Sequence, residues 1–151
     1  MRTAYTKKGD AGFTRDLSGK RLAKDDARIV AGGKIDALQS AIDLVLLDAK
    51  GPTKAMLREV QSRLWQEVGQ RDLERLEGFI DLLGEPPRKF VRFDRLRAVA
   101  YNECRVRCRD LESSCTKLLR AGKMRPAVYA YLNRLSSLFF MLAYRESHRK
   151  P

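Results

Sequence analysis

From Arg28 to Glu146 the apolar residues recur at steps of three and four, interrupted chiefly where glycine and proline fall. Such a period puts one apolar stripe along each segment, and a striped helix has to bury that stripe against another. The stretch 28–49 carries Ile35, Leu38, Ile42, Val45 and Leu46, and 54–69 carries Leu57, Val60, Leu64 and Val68. Between them Gly51-Pro52-Thr53 ends one helix and starts the next, with Thr53 a candidate cap. Residues 72–83 bring Leu73, Leu76, Ile80 and Leu83 to one side, and Gly84-Glu85-Pro86-Pro87 is a firm break. A long helix near 94–121 carries Leu96, Val99, Cys104, Cys108, Leu111, Cys115 and Leu118. Gly122 closes it, and Pro126 suits the first turn of a last helix, 126–146, with Val128, Tyr131, Leu135, Leu138, Phe139 and Leu142 inward. Alternation at period two is scarce, so no sheet is expected. The pattern predicts an all-α, up-down five-helix bundle over 28–147, preceded by an ordered arm over 1–27, within one domain of 151 residues. Phe139, Phe140 and Met141 are consecutive and cannot all face one core, so part of that helix is expected against a second subunit.

The arm has a different chemistry. Tyr5-Thr6-Lys7-Lys8-Gly9-Asp10-Ala11-Gly12-Phe13-Thr14-Arg15 mixes glycine with cations and hydroxyls. Glycines let backbone N–H groups approach phosphate oxygens, lysines supply charge, and threonine hydroxyls donate hydrogen bonds. The spacing GxxxxGK[ST] is absent, so this is not a Walker loop. By itself the run suits the phosphates of a nucleotide, ATP first, and equally a plain surface loop. Arg105, Arg109 and Glu112 share a face of the long helix, with the glutamate able to hold an arginine fork; a solvated face has the same pattern. Asp36 lies between Ile35 and Ala37 near the apolar border, where a carboxylate needs a cation such as arginine.

Net charge is +12, which favours polyanionic partners: nucleic acid, an acidic membrane surface or a phosphate-rich ligand. No DNA- or RNA-binding motif is present and the aromatic residues fall mostly on core faces, so nucleic acid is not expected. No apolar run approaches the ~18 residues of a membrane span, and MRTAYTKKGD lacks a signal-peptide core; the expected compartment is the cytoplasm. Three cysteines are too few and too odd for a secreted disulfide framework and read as buried thiols. The single histidine, His148, lies far from them along the chain, so no protein metal site is expected.

Three blocks, YTKKGDAGFTR with KRLAKDDARI and GGKIDALQSAI, then CRVRCRDLE, then YLNRLSSLFF, resemble the PduO-type ATP:corrinoid adenosyltransferases along essentially the full chain. The resemblance implies a five-helix bundle assembled as a homotrimer with active sites between subunits. It implies transfer of the 5′-deoxyadenosyl group of ATP to the cobalt of cob(I)alamin, made from cob(II)alamin by a reductase, with triphosphate released: an alkyl transferase of the EC 2.5.1 class. Thr6, Lys7, Lys8, Gly9, Thr14, Arg15 and Lys24 would hold the ATP phosphates, with Mg²⁺ on those phosphates. Arg109, Glu112 and Asn133 would lie at the nucleotide. Asp36 and Arg105 match a salt bridge across the subunit boundary, and Phe90 matches the start of the segment that carries an aromatic residue to the lower corrin face.

The sequence departs from the family's pattern at named positions. Phe90-Val91-Arg92-Phe93-Asp94-Arg95 has no Pro-Gly-Gly turn. Asp110 and Ser113 stand where the family has arginines, Asn102 where it has a histidine, and Ser137 where it has an aspartate. The alternative they leave open is a non-catalytic paralogue that binds ATP or adenosylcobalamin as carrier, sensor or partner subunit.

Overall fold

The computed structural model describes residues 4–148; residues 1–3 of the expected arm and 149–151 past the last helix lie outside the described residues. Five helices form: α1 (Ala27–Leu46), α2 (Gly51–Arg63), α3 (Gln70–Leu82), α4 (Leu96–Arg120) and α5 (Pro126–His148). Arg97 at the start of α4 pairs with Asp48 just past α1 and with Glu146 near the end of α5. Lys34, early in α1, reaches Asp110 well along α4. Both α1 and α5 therefore run antiparallel to α4, which packs mainly on these two, while α3 lies along α5. The five-helix bundle expected from the periodicity is the fold.

Each helix end has a local cause. Asp26 caps α1 by accepting the Arg28 N–H at 2.9 Å. Asp72 in the first turn of α3 accepts the Gly69 N–H at 2.9 Å. At the end of α4, Gly122 takes φ +66°, and Lys123 N donates to Leu118 O at 2.8 Å while Gly122 N donates to Leu119 O at 3.0 Å. That double closure needs a left-handed residue, which glycine supplies without Cβ strain. Pro126 opens α5 where its missing N–H has no partner to lose. Thr53 is no cap: α2 starts at Gly51, so Thr53 lies within the first turn, beyond Pro52.

The core is apolar throughout, centred on Leu38, Ile42, Leu57, Leu111, Leu135 and Phe139. Cys104, Cys108 and Cys115 are buried free thiols, as their spacing predicted. Burial pushes the Cys104 thiol up to about 12 and raises Cys108 and Cys115 as well. Two expectations for α4 fail: Leu96 is 86% and Val99 45% exposed. The buried row instead runs Ala98, Tyr101, Cys104, Cys108, Leu111, Cys115, Leu118, one helical phase round from the first two leucine-type positions. In α5, Phe139 and Met141 are both buried, and Phe140 sets its ring edge-on to Phe93 with centroids 6.1 Å apart. Packing against α3 and α4 covers Phe139 and Met141 within the chain, while Phe140 stays partly exposed at the edge of α5.

The sequence also concealed a small sheet. Strands β1 (Phe13–Arg15) and β2 (Arg21–Ala23) pair antiparallel, Thr14 opposite Leu22. Three residues per strand are too few for alternation to register in the sequence.

Candidate functional site

The ribbon shapes the arm. Lys7 holds φ +57° and Gly12 φ +80°, left-handed positions that fold the chain back on itself. Asp10 N donates to Lys7 O at 3.3 Å and Gly12 N to Gly9 O at 3.1 Å, making two successive turns. Lys24 N then donates to Gly12 O at 2.9 Å, so the segment after β2 lies beside the glycine turn. The approach is close: a Cβ on Gly9 would sit 3.1 Å from Lys24 Nζ, so a larger residue there would displace the lysine tip. The structure thus brings Gly9 and Lys24, 15 positions apart, to one spot with Lys7 and Lys8 exposed nearby. Thr6 is exposed and Thr14 half-buried. Arg15 Nη1 donates to Gly19 O at 2.6 Å and clasps the hairpin. Its guanidinium is therefore partly engaged before any ligand arrives.

Where the ribbon joins α1, Asp26 takes both the Arg28 N–H and its guanidinium, at 2.9, 3.0 and 3.1 Å. The guanidinium holds the Asp26 carboxyl down to about 2. Ser18 likewise lowers Asp16, which braces the hairpin turn. Asp16 is thus tied within the hairpin and Asp26 to the first turn of α1.

A second group gathers on the seam between α4 and α5. Asn133 Nδ2 donates to Glu112 Oε1 at 2.7 Å. Asn133 Oδ1 accepts from Arg134 Nη1 at 3.1 Å, and Arg134 Nε is held by Glu77 of α3 at 2.7 Å. One turn on from Glu112, Thr116 Oγ1 meets the Tyr129 hydroxyl at 3.1 Å. The bonds to each other and to Arg134, itself held by Glu77, thus fix the Asn133 amide and the Glu112 carboxylate on an exposed edge of the bundle. Arg134, Glu77, Thr116 and Tyr129 were not expected from the sequence, since nothing in their spacing joins α3, α4 and α5.

Further along the seam, Arg105 and Arg109 line a cleft of 470 Å³ with Ser136, Ser137 and Phe140. Arg105 lies over the Phe140 ring at 5.5 Å, with Asn102 Oδ1 accepting from its Nη1 at 3.5 Å. A neighbouring cleft of 460 Å³ shares Arg105 and Phe140 and adds Phe90, Phe93, Lys89 and Arg92. Phe90 is 93% exposed. The expected residues Arg105, Arg109, Glu112, Asn133 and Phe90 therefore lie along one α4–α5 edge.

Asp36 does not join them within the chain. It is exposed on α1 and makes no ion pair among the described residues. Nor does any hydrogen bond or ion pair tie the arm residues Thr6 to Arg15 to Arg109, Glu112 or Asn133. The unexpected pair is Lys34 with Asp110: the ammonium reaches both the carboxylate and, at 3.5 Å, the Asp110 carbonyl. Asp110 is thereby turned to α1, away from the residues that face α5.

A protein-family model described as cobalamin adenosyltransferase matches residues 4–146. Corrinoid adenosyltransferase PduO of Citrobacter freundii is 28% identical over 95% of this chain and 50% of its own length, so the chain spans about half of that relative. Cobalamin adenosyltransferase of Cupriavidus metallidurans is 33% identical over 91% of this chain and 84% of its own. A solved variant of the PduO-type ATP:corrinoid adenosyltransferase from Lactobacillus reuteri, complexed with ATP, superposes with a TM-score of 0.82 at 27% identity, covering 95% of this chain and 94% of that one.

Proposed function

The chain belongs to the cobalamin adenosyltransferase family, and on that footing we propose that it transfers the 5′-deoxyadenosyl group of ATP to the cobalt of a reduced corrinoid, releasing triphosphate. The observation that carries the reading is the convergence of Arg105, Arg109 and the Glu112–Asn133 pair on one exposed seam beside an aromatic cleft.

Cob(I)alamin is a strong nucleophile, so the reaction needs no general base. A cobalt–carbon bond forms at C5′ as the bond from C5′ to the triphosphate oxygen breaks, and that electron pair leaves on triphosphate. Lys7, Lys8 and Lys24, gathered at the Gly9 turn, supply positive field for the charge that develops there. Thr6, Thr14 and Arg15 complete the cradle. These are phosphate ligands rather than metal ligands, so Mg²⁺ is assigned to the phosphate oxygens. Arg109 and the braced Glu112–Asn133 pair orient the nucleoside, and holding C5′ in line with cobalt does much of the work. Phe90, with Phe93 and Phe140 behind it, gives an apolar wall that excludes a lower axial ligand and eases reduction of Co(II) by a partner reductase.

Among the described residues no hydrogen bond or ion pair joins Thr6 to Arg15 of the arm to Arg109, Glu112 or Asn133 of the α4–α5 seam, which fits a site completed by a second copy in a homotrimer. Arg105 of one copy is then the cation partner for Asp36 of the next. Three thiols held reduced on one helix suit the cytoplasm. Asp110, neutralised by Lys34, presents little negative charge to a triphosphate, which favours a working enzyme over a carrier. An anaerobic assay with ATP, cob(II)alamin and a strong reductant tests this by the light-sensitive cobalt–carbon product spectrum. ATP bound with no product would replace the proposal with the carrier reading.

A further inference from the structure

The loop joining α3 to α4 carries Arg88, Lys89, Arg92 and Arg95 in quick succession. Lys89 and Arg92 line the 460 Å³ cleft with Phe90, Phe93, Phe140 and Arg105, and every charged side chain on its wall is a cation. Neither Lys89 nor Arg92 has an ion pair or hydrogen-bond partner among the described residues. The opposite wall is fixed, because Phe140 holds Phe93 edge-on and carries Arg105 over its ring. One cleft therefore presents a rigid apolar floor and two uncommitted cations at its mouth. A ligand complementary to both has a broad apolar body and an anionic appendage. Cations grouped beside low-dielectric walls focus their field on such a group, and the guanidinium fork matches the oxygens of a phosphodiester or carboxylate.

We infer that Lys89 and Arg92 form an anion-reading subsite that selects corrinoids bearing a negatively charged appendage over neutral ones. The inference rests on the corrinoid reading above. It gives the α3–α4 loop a substrate-sorting task.

Equilibrium dialysis of the full chain against three Co(II) corrinoids tests it. Cob(II)alamin carries a phosphodiester in its nucleotide loop, cob(II)inamide lacks that loop, and cob(II)yric acid carries a carboxylate. In the double variant Lys89→Gln/Arg92→Gln, Kd for cob(II)alamin should rise about tenfold, equivalent to ~1.4 kcal/mol, while cob(II)inamide changes less than about twofold. The preference of the unaltered chain should shrink in roughly 1 M salt, and Arg88→Gln, outside the cleft, should leave it intact. If cob(II)yric acid follows cob(II)alamin, charge alone is read; if only cob(II)alamin responds, the phosphodiester is read, and both support the subsite. Equal weakening for all three corrinoids, or none, overturns it. If the unaltered chain binds no corrinoid, the functional reading falls first; if it binds all three alike, this inference alone fails.

Discussion

Asn133 donates its amide to Glu112 across the seam of α4 and α5 at 2.7 Å, and Arg134 holds the other end of that amide. The pair is exposed and contributes little to folding; its geometry serves whatever lies on it. Asn133→Ala should therefore lower kcat/KM for ATP about tenfold or more, while changing unfolding free energy by less than ~1 kcal/mol. Steady-state kinetics beside urea titration read the two effects separately. Equal loss of stability and activity would make the pair a structural strut.

Lys34 and Asp110 call for a double-mutant cycle. Lys34→Ala frees the Asp110 carboxylate, whose negative charge then acts against a polyphosphate. ATP affinity should fall about three- to tenfold, an effect of the size expected for a partly solvated charge. Lys34→Ala/Asp110→Asn should restore most of it. Isothermal calorimetry at low salt gives the comparison, and additive losses would show that the two residues act apart.

The Asp36 carboxylate has no ion-pair partner among the described residues, and Arg105 leans on the Phe140 ring. If a neighbouring copy joins them, Asp36→Asn removes one member of a pair buried by assembly. Loss of one partner of a buried pair costs roughly 3–5 kcal/mol. Sedimentation should then show smaller species than the unaltered chain forms at the same concentration. An unchanged sedimentation profile would show that Asp36 holds no such interface.

The thiols make an alkaline prediction. Cys104 is raised from an ordinary value of 9.0 to about 12, so the folded state favours the neutral thiol more than the unfolded chain does. That contribution is complete below pH 9 and drains away as pH climbs from 9 toward 12. Native protein at pH 8 should react negligibly with a disulfide reagent, and urea-unfolded protein should titrate three thiols. Cys104→Val should flatten the loss of stability above pH 9. Rapid labelling of the native chain would contradict the burial.

Periodicity exposed the helices because a stripe recurring over three or more turns has one geometric solution. It read α4 less well at its start: Leu96 and Val99 belong to an exposed side, and the inward row begins at Ala98 and Tyr101. Side-chain size alone cannot tell a small core residue from a large surface one. The site was partly legible. Arg105, Arg109 and Glu112 follow from helical spacing, but the bond from Glu112 to Asn133 spans 21 positions and that from Lys34 to Asp110 spans 76. Contacts of that reach depend on how helices register, which no local pattern encodes. Arg134 escaped notice for the same reason, since its anchor Glu77 sits on α3.

The turn at Gly122 also governs how the chain comes together in time. It closes α4 and α5 into a hairpin through a linker of residues 121–125, so the most extensive helix pairing in the molecule is also among the most local along the chain. Local pairings close with little loop entropy and form early. Docking α1 onto α4 must instead enclose everything between them and comes late. The α4–α5 seam is thus expected to assemble early, whereas the ribbon, tethered to α1, arrives with the last step.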